Sequence, residues 1–201
     1  MRETLRAGVQ VVAAPQLFPT PAALARRVVE LADIQPGERV LEPSAGTGAL
    51  LDQIQRRAAA SQRVEIVAVE INLSLVDQLR RLTDADPAIR IIGADFLQCN
   101  GDLGTFDKIA MNPPFVNGSD IRHILHARSM LRPGGRLVAI CAAGPRQREQ
   151  LRPIAEDWID LEPGAFTGTN VRAAIVVIDA EPLPETATTE DDHGFMLEPT
   201  P

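Results

Sequence analysis

The sequence predicts an α/β fold: a seven-stranded, mostly parallel sheet with an antiparallel last strand and helices on both faces. Three observations predict it. Short apolar runs of strand length alternate with longer segments of helical spacing along most of the chain. A loop of small residues, Pro43-Ser44-Ala45-Gly46-Thr47-Gly48, joins the first such run to the helix after it. No helix-length segment separates the last two apolar runs, so that pair is predicted antiparallel.

Each element has a local cause. Leu24, Val28 and Leu31 keep helical spacing over Ala22 to Asp33, with Thr20 as N-cap, Pro21 at the first helical position and Pro36-Gly37 as the stop. Arg39 to Glu42 reads as a buried strand, and the small-residue loop leads into a helix from Ala49 to Ala60. Val64 to Glu70 is a strand, Leu73 to Leu82 a helix and Ile89 to Ile92 a third strand. Phe106 to Met111 is the fourth strand. Ser119 or Asp120 caps a helix running to Leu131, and Pro133-Gly134-Gly135 turns into a fifth strand, Arg136 to Cys141. A helix from Arg146 to about Asp157 precedes strands at Trp158 to Leu161 and Ala173 to Asp179, joined by a Gly/Thr-rich loop.

The 201 residues make one domain, large enough to bury roughly 70% of the unfolded surface. Residues 1–15 carry no signal, residues 16–180 hold the folded domain, and residues 181–201 read as a disordered acidic tail. That tail contains Glu181, Glu185, Glu190, Asp191, Asp192 and Glu198 and no Lys or Arg, so it accounts for nearly all of the net charge of −7. The folded part is close to neutral, unlike a typical stand-alone DNA binder. Cys99 and Cys141 have no ligand-like spacing, and no segment has the length and apolarity of a membrane span or a secretory leader. These features predict a cytoplasmic protein without a disulfide framework.

The chemistry centres on Met111-Asn112-Pro113-Pro114-Phe115. Two prolines after a buried strand force a stiff turn at its carboxyl end, the edge where open α/β sheets bind ligands. Asn112 and the Pro113 carbonyl offer acceptor oxygens for both hydrogens of a planar –NH2 group, and Phe115 offers a face for the ring that carries it. Fixing a weakly nucleophilic amine in direction is what methyl transfer to such a nitrogen requires. A core Phe on an ordinary strand-ending turn would give the same letters, so the rest of the chain has to decide.

Gly46-x-Gly48 between a strand and a helix, with Glu70 closing the next strand, is a nucleotide-fold signature in which Glu70 would bind a ribose diol. The spacing also suits a dinucleotide. Against that, the third glycine of the dinucleotide fingerprint falls on Leu51, and Glu42, just before the loop, would repel a pyrophosphate. A carboxylate at Glu42 suits a ligand with an ammonium and a sulfonium, such as S-adenosylmethionine. Ser44, Ala45 and Gly46 let the backbone approach it. Asp95 is placed to accept from the adenine amino group and Phe96 to pack on the adenine face.

This ordered set resembles class I S-adenosylmethionine-dependent methyltransferases, which have a Rossmann-like sheet. More closely it resembles the DNA adenine-N6 amino-methyltransferases of gamma arrangement. In those, a Glu-Pro-Ser-Ala-Gly-Thr-Gly loop (here Glu42 to Gly48) precedes an Asn-Pro-Pro-Phe/Tyr motif (here Asn112 to Phe115). The resemblance covers about residues 16–179. It implies that Thr20-Pro21 contacts the methionine part of the cofactor, and that the loop Phe166 to Val171 walls a target-base pocket. Asn112, Pro113, Pro114 and Phe115 become the catalytic set, and Thr20, Pro21, Glu42, Pro43, Ser44, Ala45, Gly46, Gly48, Glu70, Ile71, Asp95, Phe96 and Asn112 the cofactor set. Phe115, Phe166 and Arg122 become the substrate contacts.

The implied reaction is methyl transfer to an exocyclic amino group, adenine N6 in DNA ahead of RNA. Ribosomal RNA adenine or guanine, or a protein glutamine, is the alternative substrate, and a non-catalytic cofactor-binding subunit the alternative class. Cytosine C5 chemistry would need a thiolate after the fourth strand, where none stands. The family's sequence-reading members carry a target-recognition domain that this sequence lacks, so weak nucleic-acid binding alone is expected, with a protein partner supplying readout. Arg122 and His126 share a helical face that suits phosphates or plain solvent. His123 and His126 lack a third metal ligand, and no metal is expected. Arg146, Arg148 and Arg152 read as a solvated face, and Trp158 as core.

Overall fold

The computed structural model describes residues 19–61, 64–83, 86–166 and 171–183. The N-terminal segment, most of the acidic tail and Thr167 to Asn170 of the expected pocket loop lie outside them. Seven strands form a single sheet: β1 (Arg39–Pro43), β2 (Glu65–Glu70), β3 (Ile89–Gly93), β4 (Phe106–Met111), β5 (Leu131–Ala142), β6 (Asp157–Asp160) and β7 (Ala173–Asp179). Their order is β3-β2-β1-β4-β5-β7-β6. β1 to β5 run parallel, and β7 is antiparallel to both of its neighbours, β5 and β6. This is the predicted sheet, with β7 as the antiparallel strand.

Strand pleating explains why helices cover both faces. Val40, Ile66, Ala68, Ala110, Val138 and Ile140 point into one apolar layer with α1 (Ala22–Ala32), α2 (Ala49–Ser61) and Leu79 of α3 (Leu73–Leu82). Their sequence neighbours Leu41, Val67, Val69, Ile109, Leu137 and Ala139 point into the other, with α4 (Ser119–Arg128) and Leu151 of α5 (Pro145–Leu151). Alternate residues thus fill opposite layers, and the inner strands β2 and β7 read as nearly continuous apolar runs.

Three boundaries differ from the sequence reading, each for a physical reason. α4 starts at Ser119 after a left-handed Gly118, and neither Ser119 nor Asp120 caps it. The Asp120 carboxylate instead accepts from the backbone N–H of Ala142 and the side chain of Gln147, both at 3.0 Å, tying α4 to the end of β5 and to α5. α5 is short because Pro153 lacks the N–H that would continue it. A single tight turn, Arg152–Ile154, follows, and Asp157 already belongs to β6. β5 begins at Leu131 because Pro133-Gly134-Gly135 bulges within its pairing to β4, between the pairs Phe106–Leu131 and Lys108–Arg136. Only glycine fits at 135, where a Cβ would stand 2.9 Å from the carbonyl oxygens of Arg132 and Asp107. Trp158 is half-buried against the second layer and donates through its indole N–H to Asp160 at 3.1 Å.

The strand order reverses between β1 and β4. At such a switch point the connections leave to opposite sides and a crevice opens beyond the carboxyl ends of the strands. Both key loops, after Pro43 and after Met111, start there.

Candidate active site

That crevice is a cavity of about 550 Å³, lined by the start of α1 and by the loops after β1 to β4. Of the residues expected to hold a cofactor, it brings together Thr20, Glu42, Ser44, Ala45, Gly46, Glu70, Ile71, Asp95, Phe96 and Asn112. Pro113 and Pro114 line it as well.

The floor is acidic. Glu42 is 1% exposed, and its Oε2 has no hydrogen-bond partner among the described residues. Burial, reinforced by the charge of Glu70, holds the Glu42 carboxyl well above the usual carboxylate range. Glu70 is satisfied differently: Oε2 accepts from the Gly46 N–H and Oε1 from the Asn72 N–H, each at 2.8 Å. Its carboxylate therefore ties the β1 loop to the start of α3, and retains lone pairs for a hydroxyl. The loop needs unusual backbone, with Ser44 at φ 66, Gly46 at φ 57 and Gly48 at φ 86. At Gly48 an added Cβ would also meet Leu79 Cδ2 at 2.8 Å. Gly48, Pro43 and Pro21 are not among the residues that line the cavity.

At the opposite end Asp95 Oδ1 accepts from the Leu97 N–H at 3.0 Å and starts the turn Phe96–Gln98. Phe96 lines the cavity but is mostly a core residue. It is only 3% exposed, belongs to the second apolar layer, and packs edge-on against His126 at 4.9 Å between ring centres. Ile71, which is 67% exposed, and Leu97 line the same end of the cavity.

The turn after β4 carries the most informative contact. Asn112 Nδ2 donates to Thr20 Oγ1 at 2.9 Å, across 92 residues of chain. Thr20 therefore does not cap α1; Pro21 occupies the N-cap position without a side-chain bond. Asn112 lines the cavity with its –NH2 tied to Thr20. Phe115 is half-buried outside the cavity lining, its ring perpendicular to that of Phe166 at 6.0 Å between centres. The two aromatic residues assigned to substrate stand together beside the cavity. Arg122 is exposed and not part of the lining.

Both histidines of α4 turn inward. His123 Nδ1 bonds the Ser119 carbonyl at 2.8 Å, and burial lowers its pKa, so the ring is held neutral. His126 Nε2 lies 2.7 Å from the Cys99 carbonyl oxygen, so His126 does not share a solvent face with Arg122. Among the described residues there is no group of three metal-ligating side chains, and no helix long and apolar enough to cross a membrane. Sequence reasoning missed Asn72, Leu97 and His123 as lining residues. Asn72 had a signal, an amide directly before an apolar helical run, and it does cap α3 through the N–H of Ser74 at 3.0 Å. His123 had none, since its placement follows from how α4 docks.

Sheet order, glycine loop and acidic cavity together define a class I S-adenosylmethionine-dependent methyltransferase. The chain belongs to the methyltransferase small domain family, whose model matches residues 23–156. It is similar to an rRNA methyltransferase of Streptomyces thermotolerans, 38% identical over 96 residues, 48% of this chain and 30% of that one. A probable ribosomal RNA small subunit methyltransferase A of Methanosarcina mazei is 36% identical over 106 residues, 53% of this chain and 36% of that one. The chain thus spans about a third of the length of these relatives. Its fold is like that of a type I restriction-modification system methyltransferase subunit from Streptococcus thermophilus, with a TM-score of 0.70 at 18% identity over 84% of this chain and 45% of that one. S-adenosylmethionine is the cofactor of this class, and the cavity fits it. The partnerless buried carboxyl of Glu42 suits an ammonium, the carboxylate of Glu70 suits a diol, and the tight backbone at Ser44 to Gly46 admits close approach.

Proposed function

We propose that this chain transfers a methyl group from S-adenosylmethionine to the exocyclic amino group of an adenine in a nucleic acid. The observation that carries the reading is the Asn112 amide, fixed by Thr20 at 2.9 Å on the wall of the cofactor-sized cavity and followed by two prolines. Bound cofactor supplies an electrophilic methyl group on sulfur. Glu42 holds the ammonium, Glu70 the ribose hydroxyls and Asp95 the adenine amino group, while Ile71 and Leu97 cover the adenine faces.

Asn112 Oδ1 and the Pro113 carbonyl accept the two hydrogens of the target amine. The nitrogen lone pair is thereby aimed along one direction, and positive charge that develops on nitrogen during transfer is stabilised. Pro113 and Pro114 keep this carbonyl from relaxing, because their φ is fixed. Phe115, braced by Phe166, stacks on the target base. A base within a duplex has to be flipped out to reach this turn.

The relatives named as ribosomal RNA methyltransferases favour RNA as the carrier of that base, over the DNA that the motif resemblance puts first. A cytoplasmic setting accords with that substrate. The test is transfer of labelled methyl to RNA, DNA and protein pools by the parent chain and by Asn112→Ala. Label in a nucleic-acid pool that the variant fails to deliver supports the reading; equal transfer by the variant removes Asn112 from the chemistry.

A further inference from the structure

Where the parallel strands begin, four cations are paired: Arg39 with Glu65 at 2.8 Å, Arg132 with Asp107 and Arg136 with Asp179 at 2.7 Å, and Lys108 with Glu38 at 3.7 Å. At the opposite edge, where the cavity opens, Arg122, Arg146 and Arg172 are exposed and have no ion pair or side-chain hydrogen bond among the described residues.

Three separate elements bring these arginines to one place. Arg146 Nη1 lies 3.1 Å from where a Cβ on Gly118 would stand. Gly118 caps α4, three residues beyond Phe115, and Arg122 follows it by about one helical turn. The Arg172 carbonyl accepts from the Ala143 N–H at 2.8 Å, on the loop that leads directly into Arg146. Two acids of this edge are already used: Asp120 is fully buried and bonded to Ala142 and Gln147, and Asp160 is taken by Arg148 at 2.6 Å.

We infer that Arg146 and Arg172, with Arg122, form a rim that grips the phosphodiester backbone of the nucleic acid whose base enters beside Phe115. The inference rests on the proposed function and deepens it. None of the three guanidinium groups has an ion pair among the described residues; like charges gathered near one another repel, and an anion relieves that repulsion. Guanidinium forks match phosphate oxygens in pairs. Such contacts fix the register of the strand without reading sequence, and so bring a base to the catalytic turn. None of the three arginines lines the cofactor cavity, so the rim and the cofactor are separable.

The test compares three full-length proteins: the parent, Arg146→Glu/Arg172→Glu, and Arg57→Glu/Arg81→Glu, which makes the same charge change on exposed positions of α2 and α3. Each is titrated by fluorescence anisotropy into labelled single-stranded RNA, single-stranded DNA and duplex DNA of one sequence, over a salt series. S-adenosylhomocysteine affinity is measured on each by calorimetry. The rim variant is expected to bind single strands at least tenfold more weakly than the control variant. Its log–log salt slope should be shallower than the parent's by about 1.4, the loss of two phosphate contacts on a single strand. Cofactor-product affinity should be the same in all three. Tighter parental binding to RNA than to DNA assigns the strand to RNA, and the reverse order to DNA; the rim is supported in both cases. Equal loss in the two variants, or no measurable binding by the parent, overturns the inference. Failure of the parent to bind S-adenosylhomocysteine overturns instead the function on which it rests.

Discussion

Glu42 is buried at a cost to stability that its proposed ammonium-binding role would explain. A carboxylic acid ionises freely in the unfolded chain near 4.5, but burial and the charge of Glu70 raise its folded value well above that. Below pH 4.5 both states are protonated and Glu42 contributes no pH dependence. As pH rises through the window above 4.5 the unfolded state releases its proton first, so stability falls until the folded carboxyl also ionises. Glu42→Gln should therefore stabilise the ligand-free protein at neutral pH by about 1 kcal/mol, a shift of a few degrees in Tm, and change little at pH 4. It should weaken S-adenosylmethionine roughly ten- to a hundredfold by removing a charge-assisted bond. Melting curves at two pH values and calorimetry check both halves; a variant less stable than the parent at pH 7 would contradict the stability half. Asn112→Ala should behave in the opposite way. It removes an acceptor for the amine and should cut turnover about a hundredfold, while S-adenosylhomocysteine affinity stays within a few-fold. Thr20→Val tests the brace separately: turnover should drop about tenfold, with most of the loss in kcat, because the amide that it releases still reaches the amine.

At the scale of elements, the strands and the two loops at the switch point were legible from the sequence, and the parts set by tertiary contact were not. The inner strands could be read because they are buried on both faces and so spell apolar runs, whereas the edge strands β3 and β6 are only partly buried. The β1 loop could be read because its residues are small for a backbone reason, positive φ at Ser44, Gly46 and Gly48. Gly48→Ala should accordingly cost about 2 kcal/mol, through both the strained φ and the approach of its Cβ to Leu79, and a denaturant titration measures it. The α4 cap was misread because Asp120 has the side chain of a good N-cap yet spends it on Ala142 and Gln147. Nothing local announces such a long-range use. Asp120→Ala should leave those two donors unsatisfied and destabilise the protein by about 3 kcal/mol. Because α4 follows directly from the catalytic turn, turnover should fall as well, and Asp120→Asn should recover part of both losses. Phe96, read from the sequence as packing on the adenine face, lines the cavity while most of its side chain sits in the second apolar layer, and the 3₁₀ turn that Asp95 starts brings Leu97 to the cavity beside it.

In the whole molecule, acidic groups line the floor of the cofactor cavity, ion pairs hold Arg39, Lys108, Arg132 and Arg136 where the parallel strands begin, and the exposed arginines Arg122, Arg146 and Arg172 stand at the opposite edge. Cofactor and nucleic acid are thus expected on adjacent surfaces of the catalytic turn, with Asn112 between them. The charge pattern was only half visible in the sequence, because ion pairs such as Arg136–Asp179 join residues far apart in the chain. The central claim is that the turn at Asn112 presents an adenine amine to the methyl group. It is tested most directly by incubating the chain with S-adenosylmethionine labelled at the methyl group and a mixed pool of RNA, DNA and protein, then digesting each fraction and separating methylated nucleosides and amino acids. The account predicts label on adenine N6 in the RNA or DNA fraction, reduced about a hundredfold with Asn112→Ala. Label confined to protein, or to a carbon or ring-nitrogen position of a base, would contradict it.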